Sequence, residues 1–322
     1  MMLLYSKYTM EPKIAHFIFD SWGSIGKDGT APPFFPGPQP VSIERKHFRY
    51  FHKNNYLACE KTDGLRVAFV CVEIDGTKCC VLVNRAMEME HVKLRSLPSR
   101  AYKGTILDGE MVFTKDNKRT LMVYDAVIVN GESLKNQNLT MRLETIGKFT
   151  KSIMKMKTDP IAVKLKTFYK MNEIKTLVDR VKGDDFDYKN DGLIFTPTEP
   201  GIKIGTHETM FKWKPRNMNT IDFHVKNRPD GTIGLYIQEK GELLFSTLLK
   251  PDQISNEWRR VMGDGTIVEC RFLDNIWPNR WDPVGIRTDK TYPNNRRTFN
   301  RTMVNIQEDI QIHEFVDLNK QK

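Results

Sequence analysis

The chain is short of cysteine, and its cysteines do not come in pairs. There are five in 322 residues (Cys59, Cys71, Cys79, Cys80 and Cys270), with no C-x-x-C spacing among them. An odd, unpaired set argues against a zinc ribbon and against a secreted disulfide framework, and leaves most of the thiols as small apolar fillers of strands. No apolar run approaches membrane-spanning length. The start, Met1-Met2-Leu3-Leu4-Tyr5-Ser6-Lys7, has neither a long apolar core nor a small-residue cleavage site. These absences read as an intracellular protein with no membrane segment. Internal repeats and low-complexity tracts are also missing. Acidic residues are outnumbered, 40 against 50 Lys and Arg, for a net charge of +10. That balance favours polyanionic partners such as nucleic acid, nucleotide phosphates or an acidic protein surface, or else serves only solubility.

What is present is ordinary for a globular enzyme: 39% hydrophobic and 28% charged residues. The length suits one large core or two of unequal size. Residues 21–40 are rich in Gly and Pro and read as an irregular lead-in. From 56 onward strands dominate. Leu65–Ile74 is mostly apolar, and Asp75-Gly76 makes a hairpin turn into a strand at 78–84. Further strands are expected at 104–113, 120–129 and 191–196, with helical apolar spacing at 139–157 and 169–182. After Lys214-Pro215 come closely spaced strands at 220–226, 232–238, 242–248 and 265–273, separated by tight turns, which suggests a small β-barrel. The last twenty residues read as a terminal helix able to pack on either domain. The fold class is α+β, with a first domain over 1–218 and a smaller one over 219–322.

The chemistry concentrates in Lys61-x-Asp63-Gly64-x-Arg66. A lysine near a carboxylate, a turn-permissive glycine and a fixed cation can serve as a covalent nucleophile toward phosphate, because cations and desolvation free an amine's lone pair. Arg66 suits both the neighbouring charge and a grip on a phosphate oxygen. The alternative is a strand whose polar start happens to carry these types, at roughly 10⁻⁵ per position by average residue usage. Asp108-Gly109-Glu110 places a glycine within a strand pattern, a sign of close approach by ligand or backbone, and Glu110 suits a metal or a ribose hydroxyl; the motif taken alone favours a plain hairpin turn slightly. Tyr124-Asp125 offers a ring to stack on a base or simply to pack in a core. Asp191-Gly192-Leu193-Ile194 offers a carboxylate for a divalent cation, or a helix-to-strand turn. In Phe211-Lys212-Trp213-Lys214, period two sets both lysines on one face, as a triphosphate site or a half-exposed surface strand requires. Arg287-Thr288-Asp289-Lys290 lies in the barrel portion. Ten lysines and arginines over 148–182 fit RNA phosphates, an acidic partner or a solvated helical face.

In this order the motifs resemble the covalent nucleotidyltransferase superfamily of DNA and RNA ligases and mRNA capping guanylyltransferases, from about residue 38 to 300. Pro36-Gly37-Pro38-Gln39-Pro40-Val41-Ser42-Ile43, Thr62 after the lysine, Asn84-Arg85 and Trp281-Asp282-Pro283 before Ile286-Arg287 tilt the resemblance toward capping. Over 36–66 the chain is similar to the stand-alone guanylyltransferases of large DNA viruses, those of Chlorella viruses among them. The resemblance implies a nucleotidyltransferase domain of antiparallel sheets with flanking helices and a smaller C-terminal OB-fold barrel that closes over the site between steps. It implies GTP as substrate, a lysyl-GMP on Lys61, pyrophosphate release, and transfer of GMP to an RNA 5′ diphosphate. By motif position, Lys212 and Lys214 serve the α-phosphate region, and Arg287, Asp289 and Lys290 the pyrophosphate. Arg66, Arg85 and Glu110 fall on the ribose and phosphate side, with Glu60, Thr62, Asp63 and Gly64 around the nucleotide. Tyr124 stacks on guanine, Lys166 meets the base or the γ-phosphate, and Asp191 holds Mg²⁺ or Mn²⁺. The implied protein is a monomer of cytoplasm or nucleus, in a virus-infected cell if viral. RNA triphosphatase and cap methyltransferase steps fall to other polypeptides, and a phosphorylated polymerase tail is a further partner of this kind. A ligase that adenylylates Lys61, or a silent nucleic-acid-binding module, are the rival readings.

Overall fold

The computed structural model describes residues 2–318 except 28, 30–34, 54, 96, 154, 155, 157, 200, 275–279 and 289. The chain divides into two compact units, one of residues 1–41, 48–213 and 315–322, the other of 42–47 and 214–314.

In the first unit the strands run β1 (Gln39–Ser42), β2 (Tyr56–Thr62), β3 (Leu65–Ile74), β4 (Thr77–Asn84), β5 (Met89–His91), β6 (Thr105–Phe113), β7 (Arg119–Val129), β8 (Glu132–Ser133), β9 (Ala162–Leu165), β10 (Tyr169–Lys170), β11 (Asn190–Pro197) and β12 (Thr206–Trp213). Its described helices include α1 (Met2–Trp22), α2 (Phe48–Lys53), α3 (Leu139–Ser152) and α4 (Ile174–Lys182). One sheet has the order β1-β12-β11-β2-β10; the other runs β5-β4-β3-β6-β7-β8, with β9 parallel on β7.

The second sheet is buried on both faces, which is why Leu65–Ile74 reads as one apolar run. Val67, Phe69 and Cys71 face a core that includes Ile146 and Phe149 of α3. The alternate residues Ala68, Val70 and Val72 face a core closed by Ile14, Ile18 and Trp22 of α1. Those three sit four residues apart, one stripe of a helix. At the β3–β4 hairpin Asp75 and Gly76 both have positive φ, 50° and 75°, as a type I′ turn requires.

In the second unit, β13 (Thr220–Asn227), β14 (Ile233–Glu239), β15 (Glu242–Leu249), β16 (Ile267–Leu273) and β17 (Arg280–Ile286) make one antiparallel sheet of order β15-β14-β13-β16-β17. Its core joins Ile221, Phe223, Val225, Leu235, Ile237 and Cys270 with Trp281 and Ile306.

Several boundaries differ from the sequence reading. The lead-in holds the end of α1 and the start of β1. The helix expected over 139–157 ends at Ser152, and the one over 169–182 starts only at Ile174, after β10 and a 3₁₀ turn. The terminal helix lies earlier than expected: α6 (Arg296–Glu308) ends where Asp309 turns to φ 42°, and only a short α7 (Glu314–Asp317) follows. The sequence reading did not anticipate α1, β17 or α5 (Asn256–Val261). Phe315, at the end of the chain, packs with Phe48, Phe195 and Trp213 of the first unit.

Candidate active site

Strand β2 carries the nucleophile motif to its end and turns at Asp63-Gly64 into β3. A Cβ on Gly64 would lie 2.4 Å from the Met111 carbonyl oxygen, so the turn needs glycine to pass that close to β6. Beside β2 runs β11, paired Asn190 with Thr62 and Leu193 with Glu60; between these pairs the register shifts in a bulge at Asp191-Gly192. Gly192 takes φ 148° there. The bulge aims Asp191 at the nucleophile: Lys61 Nζ donates to Asp191 Oδ1 at 2.6 Å. Lys61 is 22% and Asp191 12% exposed at the side chain, so the pair is reachable from solvent and largely sheltered.

Alternation along β2 sends Glu60 and Thr62 to the face opposite Lys61. There Lys166, fully buried, donates to the Glu60 carbonyl at 2.5 Å and Thr62 Oγ1 at 2.7 Å, and it pairs with Glu60 Oε1 at 3.1 Å. Tyr188 donates its hydroxyl to the same Oε1 at 2.8 Å. Glu60 Oε2 is buried and meets no donor among the described residues. Burial opposes the Lys166 charge, but Cys59 and the carboxylates of Glu60 and Glu110 hold it protonated above its ordinary range.

Arg66 on β3 is not left loose for a phosphate. Its Nε and Nη2 grip Asp108 at 3.0 and 2.6 Å, and Nη1 donates to the Pro38 carbonyl at 2.8 Å. The guanidinium lies 5.2 Å from the Phe35 ring and 5.9 Å from that of Tyr124. Tyr124 in turn donates to Asp108 Oδ1 at 2.8 Å. Asp108 thus binds the arginine to the ring expected to stack on a base. Glu110, two residues along β6, is pushed up from 4.5 to about 7 by burial, against the pull of Lys61, Lys166 and Arg66. A partly accessible amine, the carboxylates of Asp191 and Glu110 and the ring of Tyr124 are thereby brought within electrostatic reach of one another.

A family model of the mRNA capping enzyme catalytic domain matches residues 11–216, and one of the mRNA capping enzyme C-terminal domain matches residues 206–316. This chain belongs to the mRNA capping enzyme family. The relatives it is similar to include the mRNA-capping enzyme subunit alpha of Schizosaccharomyces pombe, 29% identical over 88% of this chain and 79% of that protein. They also include the mRNA-capping enzymes of Danio rerio and Mus musculus, each 28% identical over 90% of this chain. The chain spans 50% of the length of each of those two. Its class is that of a guanylyltransferase, a nucleotidyltransferase, with an OB-like C-terminal domain.

The remaining residues of the capping motifs fall as follows. Lys212 stands on β12 opposite Ile194 and is half-buried, while its neighbours Phe211 and Trp213 are buried, as period two requires. Arg85 is exposed just past β4, and Asp63 is exposed with its backbone N–H on the Lys189 carbonyl at 3.0 Å. Lys214, Arg287 and Lys290 belong to the second unit. There Arg287 Nη1 donates to both oxygens of buried Asp222 at 3.1 and 3.2 Å, and Lys290 pairs with the same carboxylate. Asp289 lies outside the described residues.

Among the described residues no group of three His, Cys, Asp or Glu is arranged to hold a metal ion. A lone sheltered carboxylate still fits Mg²⁺ or Mn²⁺, which take one or two protein oxygens and draw the rest from phosphates and water. Asp191 is the residue that would hold such an ion. The sequence reading missed Asp222 and Tyr188, and it named Asp108 without a role. The signal for Asp222 was a carboxylate amid the alternating apolar residues Ile221, Phe223 and Val225 of β13.

Proposed function

We propose that the chain transfers GMP from GTP, through a phosphoramidate on Lys61, to the diphosphate 5′ end of RNA, forming the 5′–5′ triphosphate cap. In the first half, the Lys61 amine loses a proton and forms a P–N bond to the α-phosphorus while the bond to the bridging oxygen breaks and pyrophosphate departs. In the second half, a terminal oxygen of the RNA diphosphate forms a P–O bond, the P–N bond breaks, and Lys61 recovers a proton. The observation that carries this reading is the 2.6 Å hydrogen bond from Lys61 to Asp191, formed across a strand bulge by two motifs 130 residues apart. It holds the amine in one direction before the nucleotide arrives.

The other roles follow by motif position. Tyr124 stacks on guanine, held by Asp108. Glu110, Arg85 and Arg66 line the ribose and phosphate side, with Arg66 acting through the position it gives Tyr124. Lys212 and Lys214 neutralise the α-phosphate region, and Arg287, Asp289 and Lys290 orient pyrophosphate. Glu60 and Thr62 lie around the nucleotide over the buried Lys166, which meets the base or the γ-phosphate, and Asp63 and Gly64 set the turn. A bound Mg²⁺ or Mn²⁺ on Asp191 supplies charge neutralisation for the phosphates. Partners in this reading are GTP, RNA with a 5′ diphosphate, and an RNA triphosphatase, cap methyltransferase or polymerase, with the enzyme itself a monomer. The run 36–66, similar to the capping enzymes of large DNA viruses, supports a place inside an infected cell. Immunolocalisation in infected and uninfected cells checks that placement.

The test of the reaction is direct. Incubation with α-labelled GTP and divalent metal should leave label on the denatured protein, and Lys61→Ala should remove it. Label from ATP in place of GTP overturns the capping reading in favour of a ligase. No label from either nucleotide leaves only nucleic-acid binding.

A further inference from the structure

Beyond Asp222 and its two cations, one face of the second unit's sheet is not used by the chemistry above. On β13, Ile221, Phe223 and Val225 are fully buried, so Asp222, His224 and Lys226 leave by the opposite face. On β14 the core takes Ile233, Leu235 and Ile237, and Tyr236 stands outward, opposite His224. On β15, Phe245 stands opposite Tyr236. The two rings meet edge to face at 5.6 Å, and Phe245 is 46% exposed.

Each ring carries a cation. Lys226 Nζ lies 4.9 Å from the Tyr236 centroid, and the Arg228 guanidinium lies 5.2 Å from that of Phe245. Tyr236 rests on bare backbone, since a Cβ on Gly234 would come within 2.8 Å of the ring. At the far end of the same strand face Asp222 gathers Arg287 and Lys290. A strip therefore runs from the motif cations through His224 and Lys226 to two rings under positive charge.

We propose that this strip binds the single-stranded 5′ segment of the acceptor RNA, bases on Tyr236 and Phe245 and backbone phosphates against Lys226 and Arg228. Paired aromatics beside a cationic track are what single-stranded nucleic acid requires, because any base has a face to stack and each nucleotide brings a negative charge. An acidic peptide would satisfy the cations and leave the rings unused. That RNA is the ligand rests on the guanylyltransferase reading.

The experiment measures binding of the full chain to a short single-stranded RNA with a 5′ diphosphate, by fluorescence anisotropy over a range of salt. Tyr236→Ala and Phe245→Ala should each weaken RNA binding about 5- to 30-fold, and Phe245→Trp should hold it, which separates stacking from a failure to fold. Lys226→Ala with Arg228→Ala should flatten the log–log salt slope by about 1.4. Guanylylation of Lys61 should be untouched in all of them. RNA affinity unchanged in both ring variants overturns the proposal, as does loss of polyglutamate binding with RNA binding intact. If the parent chain takes no label from GTP while the ring variants still lose RNA, the strip stands and the guanylyltransferase reading falls.

Discussion

Two lysine–carboxylate pairs sit on the two faces of strand β2, and they are built for opposite ends. Lys166 is buried, spends its donors on Glu60 and Thr62, and has Tyr188 sharing its carboxylate partner. Lys61 is 22% exposed and, among the described residues, pairs with Asp191 on a bulged neighbour strand. A sealed ammonium with three acceptors is a fixture of the fold, since releasing it strands a buried carboxylate. A lysine held by a carboxylate at the edge of solvent is one that an arriving phosphate can take over. The comparison shows why the motif's chemistry belongs to Lys61 although both lysines lie against the same strand.

The largest test of that difference is Lys61→Ala. It should abolish the covalent GMP label while lowering stability by about 1 kcal/mol or less, because a partly exposed ion pair contributes little. Label on a gel and urea unfolding give the two readouts. Lys166→Met should reverse the pattern in stability, losing about 3–5 kcal/mol in urea unfolding by leaving Glu60 charged and buried. Adding Glu60→Leu should recover part of the loss, since removing both charges is far milder than removing one. A small loss for Lys166→Met alone would erase the distinction.

Much of this was legible from residues alone, and what was not has a common cause. The strand and hairpin at 65–84 follow from local pattern, and Lys61 and Asp191 each stood in a motif. Arg66 was read as a phosphate grip because its partner, Asp108, lies 42 residues away and becomes its neighbour only when β3 pairs with β6. Tyr188 stands 128 residues from Glu60, in a stretch with no motif of its own. Helix α1 has a readable stripe in Ile14, Ile18 and Trp22, but Pro12 inside it and the Gly- and Pro-rich segment after it speak against a long element. β17 is interrupted by Pro283, which its place at the sheet edge tolerates. Local period carried the elements; partners across sheets are a property of topology.

Glu110 sharpens the comparison because both lysines act on it. Its carboxyl is raised from 4.5 to about 7, chiefly by burial. A carboxyl raised on folding favours the protonated form, so its contribution is full below about pH 4.5 and is lost as pH rises through 7. Across that window the parent should lose about 3 kcal/mol relative to Glu110→Gln, which cannot ionise. Urea unfolding of the two proteins at a series of pH values measures the difference. Parallel stability curves would mean that the lysines hold Glu110 ionised throughout.

The smallest effect expected is that of Tyr188→Phe. It removes one hydroxyl donor from Glu60 Oε1 and leaves Lys166 on the same oxygen at 3.1 Å. The loss should be about 1–3 kcal/mol, as for a hydrogen bond to a charged acceptor, and below that of Lys166→Met. Because Tyr188 contacts Glu60 and not the nucleophile, the rate of Lys61 labelling at saturating GTP should stay at the parental value. A fall in that rate without a fall in stability would show that the two faces of β2 are coupled, and that the buried lysine is part of the reaction after all.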